Sequence, residues 1–128
     1  MNLFGLHIKV GWLWIACRTT WFVRLAGAAY GPFIFIKPKH WHKEGLLVHE
    51  VQHTRQFWSP WLWFKGKQWW EVNAYATEVN FFPVEDHRLK TLVFARYLAN
   101  DYDFGLTNAK SYDLIENELL RIRNKTNL

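Results

Sequence analysis

Residues 43–58, KEGLLVHEVQHTRQFW, decide how the rest of this sequence is interpreted. The apolar residues of this stretch recur at the spacing of one helix face; they are Leu46, Leu47, Val51 and Phe57. Pro60 follows shortly after, and proline ends a helix. The pattern therefore predicts a helix that carries two histidines four residues apart, His49 and His53, with Glu50 directly after the first.

The spacing H-E-x-x-H has a chemical meaning on such a helix. His49 and His53 stand on one face, because residues i and i+4 lie one above the other. Both imidazoles can then reach one zinc ion at about 2.0–2.1 Å. Glu50 lies about 100° further round the helix, beside the ion rather than on it. There its carboxylate can accept a proton from water, so the motif predicts a zinc hydrolase site.

A catalytic zinc ion needs a third protein ligand and an open position for water. The next predicted helix, residues 67–82, offers Glu71, which follows His53 by eighteen residues, and Glu78, two turns further on the same face. Ala74 falls between the two acids, and a small residue there would let this helix pack close to the metal helix. We favour Glu71 as the third ligand and keep Glu78 as the alternative.

Several neighbouring residues are candidates for supporting roles. Gln56 shares the face of the two histidines, where it can hydrogen-bond a ligand or line a substrate groove, unless it is a surface amide. Asn73 is a weaker candidate for such a hydrogen bond. A tyrosine or histidine often stabilises the oxyanion in such hydrolases. Tyr75 is our choice for this role because it is closest in sequence to the site; the other candidates are His87, Tyr97 and Tyr102.

The sequence outside the two motif helices predicts the rest of an α+β fold. The segment 19–38 predicts a strand, a Gly/Ala-rich turn and a second strand, FIFIKP, which Pro38 ends. The segment 8–18 fits a strand or a short helix equally well. Two further helices are expected, at 85–101 and 107–125, with Thr107 as the N-cap of the last.

The order of these elements, strands first and then about four helices, is that of an α+β domain. We expect one zincin-like domain over residues 1–128, with an N-terminal β-hairpin or small sheet packed on the helices and H-E-x-x-H on the first long helix. A chain of 128 residues suits one domain, and at this size it can bury a core without disulfides or a structural metal.

Composition and charge exclude some kinds of site and some classes of partner. The single cysteine, Cys17, excludes an intramolecular disulfide and a cysteine-based zinc site. The net charge of +5 is mildly basic, and the cations are mixed with acids along the chain rather than clustered as in nucleic-acid binders. We therefore expect no nucleic-acid partner, although the charge could favour an anionic polymer or membrane surface.

The segment FWSPWLWFKGKQWW, residues 57–70, joins the two ligand-bearing helices and holds five tryptophans. We expect most of these rings in the core, with one or two exposed for surface contact. No apolar run reaches the roughly 20 residues of a membrane span. Arg18 and Arg24 interrupt the apolar run that a signal peptide would need. These features favour a cytoplasmic or phage-associated location over secretion.

Two motifs give the chain a family resemblance. H-E-x-x-H followed by E-x-x-A at 71–74 resembles the gluzincin metallopeptidases, in particular the compact members. The helix LLVHEVQHTRQ, residues 46–56, also resembles that of small bacterial and phage proteins with H-E-x-x-H-x-x-Q. The resemblance covers roughly residues 20–80. It implies that the strand before the metal helix, here GPFIFIKP at 31–38, forms the sheet edge that holds an extended peptide.

The resemblance also implies a cofactor and an activity. Zinc would be bound by His49, His53 and Glu71, with Glu50 as the general base, and the substrate would be a peptide or a cell-wall-derived amide. The chain shows no second lobe to complete a cleft, which favours the alternative of a non-catalytic binding or structural module of a phage or secretion system. A third hypothesis is an interfacial membrane protein in which H-E-x-x-H is coincidental.

Overall fold

The structure is a computed structural model that describes residues 2–3, 6–11, 14–18 and 27–126. Within these residues, five short strands precede four α-helices. This order confirms the predicted α+β fold class, with H-E-x-x-H on the first α-helix. The chain divides into two compact units, Met1–Phe64 and Lys65–Leu128. The assignment of residues 1–128 to one zincin-like domain stays a prediction.

The first unit contains a mixed sheet. Its strands are β1 Asn2–Leu3, β2 Leu6–Gly11, β3 Trp14–Arg18, β4 Gly27–Tyr30 and β5 Phe33–Ile36. The spatial order is β1-β2-β3-β5-β4. Strands β3 and β5 run parallel, whereas every other described pair is antiparallel. Strand β5 is therefore an inner strand, and β4 lies at the edge of the described sheet.

The predicted Gly/Ala-rich turn is wrong, because Gly27–Tyr30 forms strand β4. The turn lies one step later, at Gly31 and Pro32. Gly31 has a φ of 62°, a backbone conformation that glycine adopts without a steric penalty, and a two-residue hairpin loop uses glycine at this position. The strand predicted before this turn falls on residues 19–26, outside the described residues. The ambiguous segment 8–18 forms parts of two paired strands, β2 and β3.

Helix α1, Glu44–Phe57, packs its apolar face on this sheet. The core beneath it consists of Ala16, Ile34, Ile36 and Trp41, against which Leu46, Leu47 and Val51 pack. Thr54 donates a hydrogen bond from Oγ1 to the carbonyl oxygen of Gly31 over 3.0 Å, which holds the last turns of α1 against the β4–β5 loop. The helix predicted at 43–58 is thus present, with Leu46, Leu47 and Val51 on the sheet, whereas Phe57 is exposed.

The second unit is helical. It contains α2 Lys67–Phe81, α3 His87–Asn100 and α4 Asn108–Thr126. Its core is built from Val72, Tyr75, Ala76, Val79, Phe94, Ala95, Leu98, Ile115 and Leu119. Thr107 caps α4 as predicted, because its Oγ1 accepts a hydrogen bond from the Lys110 backbone N–H over 3.1 Å.

The tryptophan-rich segment differs from its prediction. Residues Pro60–Lys65 form a 3₁₀-helix in which no side chain is buried. Of the five tryptophans, three are exposed and two are half-buried; the exposed ones are Trp58, Trp61 and Trp63. The expectation that most of these rings form core is therefore wrong, since a short 3₁₀-helix on the surface turns its rings outward. Among the described helices, none combines the length and apolarity needed to cross a bilayer.

Candidate metal centre

The two motif histidines lie side by side on α1. The ring centroids of His49 and His53 are 4.9 Å apart, with an angle of 78° between the ring planes. His49 is buried and His53 is half-buried. The helix itself produces this pairing, because its 3.6-residue period stacks residues four apart on one face. The first unit alone thus supplies two adjacent imidazoles.

Gln56 orients His53. The Gln56 side-chain oxygen, Oε1, lies 2.9 Å from Nδ1 of His53. Since an amide oxygen only accepts, Nδ1 carries the proton and donates it, and in the neutral form of the ring the lone pair then lies on Nε2. Gln56 is buried, so it is not a surface amide, and its hydrogen bond is with a histidine that is proposed as a ligand. A metal-binding histidine typically makes this kind of outer hydrogen bond.

Glu50 lies against the edge strand. Its side chain is 4 % exposed. A Cβ atom built on Gly27 would lie 3.4 Å from Cγ and 3.6 Å from Cδ of Glu50, which is van der Waals contact. The carboxyl group of the proposed general base is therefore next to the start of β4.

The expected edge strand is a different one. The resemblance places the substrate-holding edge at residues 31–38, but β5 within that segment pairs with β3 on one side and β4 on the other. Both of its hydrogen-bonding sides are engaged, so it cannot pair with a peptide. The edge of the described sheet next to α1 is β4, and it is this strand that contacts Glu50.

In the second unit, Glu71 is held by a chain of hydroxyl groups. Glu71 is buried on α2, and the hydroxyl of Tyr102 donates to its Oε2 over 2.9 Å. The hydroxyl oxygen of Tyr75 lies 3.4 Å from that of Tyr102. Because Tyr102 gives its proton to the carboxylate, Tyr75 is the donor of this second bond. Tyr75 also stacks on Phe94, with ring centroids 5.3 Å apart.

The electrostatics of this chain keep both tyrosines protonated. Burial is the main cause that raises the pKa of Tyr75 well above its usual value, and the Glu71 charge adds to it. Burial likewise raises the pKa of Tyr102, with Tyr75 and Glu71 as further causes. Both hydroxyls therefore remain hydrogen-bond donors at neutral pH. The assignment of Tyr75 to an oxyanion stays a prediction, while its observed contact is with Tyr102.

The other predicted residues of this unit lie in its helical packing. Asn73 donates from Nδ2 to Oε2 of Glu118 over 3.1 Å. Glu78, the alternative third ligand, is buried on α2. His87 donates from Nε2 to the Phe82 carbonyl oxygen over 2.6 Å. Of the oxyanion candidates, Tyr102 thus contacts Glu71 and Tyr75 contacts Tyr102, whereas His87 makes a different contact.

Tyr97 is half-exposed on α3, and its ring centroid lies 6.2 Å from that of Phe94.

The hydrogen bond between Tyr102 and Glu71 was not predicted from the sequence. Thirty-one residues separate the two positions, and no local spacing connects them.

Comparisons with known proteins do not identify a family for this chain. No protein-family model, curated protein or solved structure matches the chain. The resemblance to gluzincins therefore stays a prediction from the motif residues.

Proposed function

We propose that this protein is a zinc-dependent metallopeptidase or a related amide hydrolase, with zinc bound by His49, His53 and Glu71. Two imidazoles and one carboxylate are a donor set of catalytic zinc sites, which leave a fourth position for water or substrate. The observation that carries the proposal is the histidine pair on α1, with the Gln56 side chain hydrogen-bonded to Nδ1 of His53 and Nε2 left as the nitrogen that can bind a metal.

The proposed third ligand has matching support. The Tyr102 hydroxyl holds one oxygen of the buried Glu71 carboxylate. Hydrogen bonds of this kind orient ligating carboxylates, just as the Gln56 amide orients an imidazole. Both sides of the proposed donor set therefore show the outer hydrogen bonds expected of metal ligands.

The proposed reaction is the hydrolysis of an amide bond. A bound zinc ion lowers the pKa of water toward neutrality and polarises the scissile carbonyl. Glu50 takes a proton from the attacking water and then gives it to the leaving nitrogen as the C–N bond breaks, so that a carboxylic acid and an amine are formed. Its burial beside Gly27 excludes bulk water from the carboxyl group.

We propose that the substrate is a peptide or a cell-wall-derived amide and that the protein has no nucleic-acid partner. An extended peptide can add to a free sheet edge through backbone hydrogen bonds. Strand β4 is the edge of the described sheet that contacts Glu50. A peptide paired with this strand would pass the general base.

Metal analysis and hydrolysis assays on matched variants test the proposal. We expect about one zinc ion per wild-type chain, and loss of zinc in His53→Ala and Glu71→Ala. Glu50→Gln should keep its zinc and lose about 10²–10⁴-fold in hydrolysis of peptides and of cross-linked peptidoglycan fragments. Glu85→Ala is the control, since Glu85 is an exposed acid outside the proposed site.

The variants also separate the alternatives. Unchanged function in Glu50→Gln, with zinc retained, would favour the non-catalytic binding or structural module. A zinc content in Glu71→Ala equal to that of wild type would exclude Glu71 as a ligand and direct the same test to Glu78.

A further inference from the structure

The first unit exposes an unusual set of aromatic rings. We call it the aromatic surface, and it consists of Tyr30, Phe33, Phe57, Trp61, Trp63 and Phe64. The two outermost rings, Trp61 and Phe64, are 66 % and 79 % exposed. At roughly half exposure each, six aromatic side chains present on the order of 600 Å². That area is at the upper end of the apolar patches found on monomers, and such patches are often functional.

Contacts within the unit join the hairpin loop, the end of α1 and the 3₁₀-helix that carry this surface. Tyr30 and Phe33 are cross-strand partners on either side of the β4–β5 loop. A Cβ atom on Gly31, in that loop, would lie 3.4 Å from Cζ of Phe57, so the loop touches the end of α1. Trp63 donates from Nε1 to the Phe57 carbonyl oxygen over 3.0 Å, which fixes the 3₁₀-helix to the same helix end.

The positive charge of the protein belongs to the same unit. Residues 1–64 contain seven Lys and Arg but two acids, of which Glu50 is buried, whereas residues 65–128 contain nine of each sign. The whole net charge of +5 is therefore carried by the first unit. Close in sequence to the aromatic surface, Arg55 is exposed, as is Lys65, the first residue of the second unit, and residues 51–70 contain no acid.

We propose that the aromatic surface binds an anionic lipid bilayer at the level of the headgroups. Tryptophan and tyrosine favour that level because one part of the ring is apolar and another is polar. Cations beside them are attracted to anionic lipids. This binding is separate from the proposed hydrolysis and needs no helix that crosses the bilayer.

Two observations favour lipid over another protein surface. All but one of the exposed large apolar residues described in the first unit are aromatic, the exception being Ile15. In the second unit most are aliphatic; they are Val84, Leu89, Leu92 and Leu120, beside Phe81 and Tyr97. A second copy of the chain would bring a unit of charge +5 against another of the same charge, and this repulsion disfavours self-association.

Sedimentation with lipid vesicles tests the proposal on the full chain. We expect binding to phosphatidylcholine vesicles with about one-third phosphatidylglycerol, weaker binding to phosphatidylcholine alone, and weakening by added salt. The double variant Trp61→Ala with Phe64→Ala should bind at least about tenfold more weakly. The matched control is Val84→Ala with Leu89→Ala, which removes two exposed apolar side chains of the second unit and should bind as wild type.

Since Trp61 and Phe64 are exposed, their replacement should leave the melting temperature unchanged, and that measurement accompanies the assay. Absence of binding to anionic vesicles, or equal binding of the aromatic and control variants, would overturn the proposal. Sedimentation velocity provides the remaining comparison. A reversible dimer that disperses in Trp61→Ala with Phe64→Ala would assign the surface to a second copy of the chain instead.

Discussion

Gln56 lies three residues beyond the H-E-x-x-H motif, yet it decides which nitrogen of His53 is available. The amide oxygen accepts the Nδ1 proton, and the ring can then offer Nε2 alone. Without this acceptor, the imidazole can exchange tautomers and rotate. The proposed metal centre thus depends on an uncharged side chain that does not itself bind the ion.

Replacement of Gln56 by alanine should therefore weaken zinc binding. We expect the dissociation constant for zinc to rise about 10–100-fold, because outer hydrogen bonds to metal-binding histidines contribute at this level. Competition with a coloured chelator measures it. Gln56→Glu keeps an acceptor oxygen and should restore most of the affinity. Gln68→Ala, the same change at an exposed position, should have no effect; equal losses in both alanine variants would contradict the role.

At this scale, local spacing determined what could be predicted. His49, Glu50, His53 and Gln56 share one helix, so their relation follows from the helical period. The bond between Tyr102 and Glu71 joins residues on separate elements, and no periodicity reports it. The zinc assignment itself stays a prediction.

Whole elements fall into two groups: those in which apolar residues repeat at a regular spacing, and those in which they do not. The four α-helices were predicted near their observed positions because their apolar residues repeat over several turns. Strand β4 was interpreted as a turn because its sequence, GAAY, is short and rich in small residues. Its pairing with β5 and its approach to Glu50 hold it extended, and neither is visible in local composition.

The N-cap of α4 offers a quantitative test at this scale. Thr107→Ala removes the oxygen that accepts the Lys110 backbone N–H, and we expect a loss of about 1 kcal/mol in the free energy of unfolding. Urea unfolding followed by circular dichroism measures it. Thr107→Ser should retain the cap. Thr77→Ala should lower the stability less, since the Thr77 hydroxyl only donates to the Asn73 carbonyl oxygen within α2. Similar losses of stability at positions 107 and 77 would contradict the role of Thr107 as a cap.

For the molecule as a whole, composition alone does not determine which rings are buried. Tryptophan is apolar enough for a core, and the five in residues 57–70 were mostly expected there. Three of them are exposed on and around a 3₁₀-helix. The charge balance behaves similarly, because a modest net charge of +5 conceals a basic first half and a neutral second half.

Removal of zinc should lower the stability of the entire chain. The proposed ligands are distant in sequence, so the set assembles only in the folded state, and ligand binding to that state stabilises it. At a zinc concentration of about 100 times the dissociation constant, we expect zinc to raise the free energy of unfolding by about 2.7 kcal/mol, and a chelator should abolish this gain. Calorimetry with and without the chelator measures the change. The chelator should lower the stability of His42→Ala as it lowers that of wild type, but it should not lower that of His53→Ala. An equal effect of the chelator on both variants would contradict the proposed ligand set.

The order of the sheet also bears on how the protein folds. Strands β4 and β5 form a hairpin with a two-residue loop, and β2 and β3 pair as close neighbours in sequence, so both pairs can form rapidly. The parallel pairing of β3 with β5 closes a longer loop and costs more chain entropy. We expect it to form last. The two hairpins then become one sheet only at this step, and α1 obtains its complete packing surface at the end of folding rather than at its start.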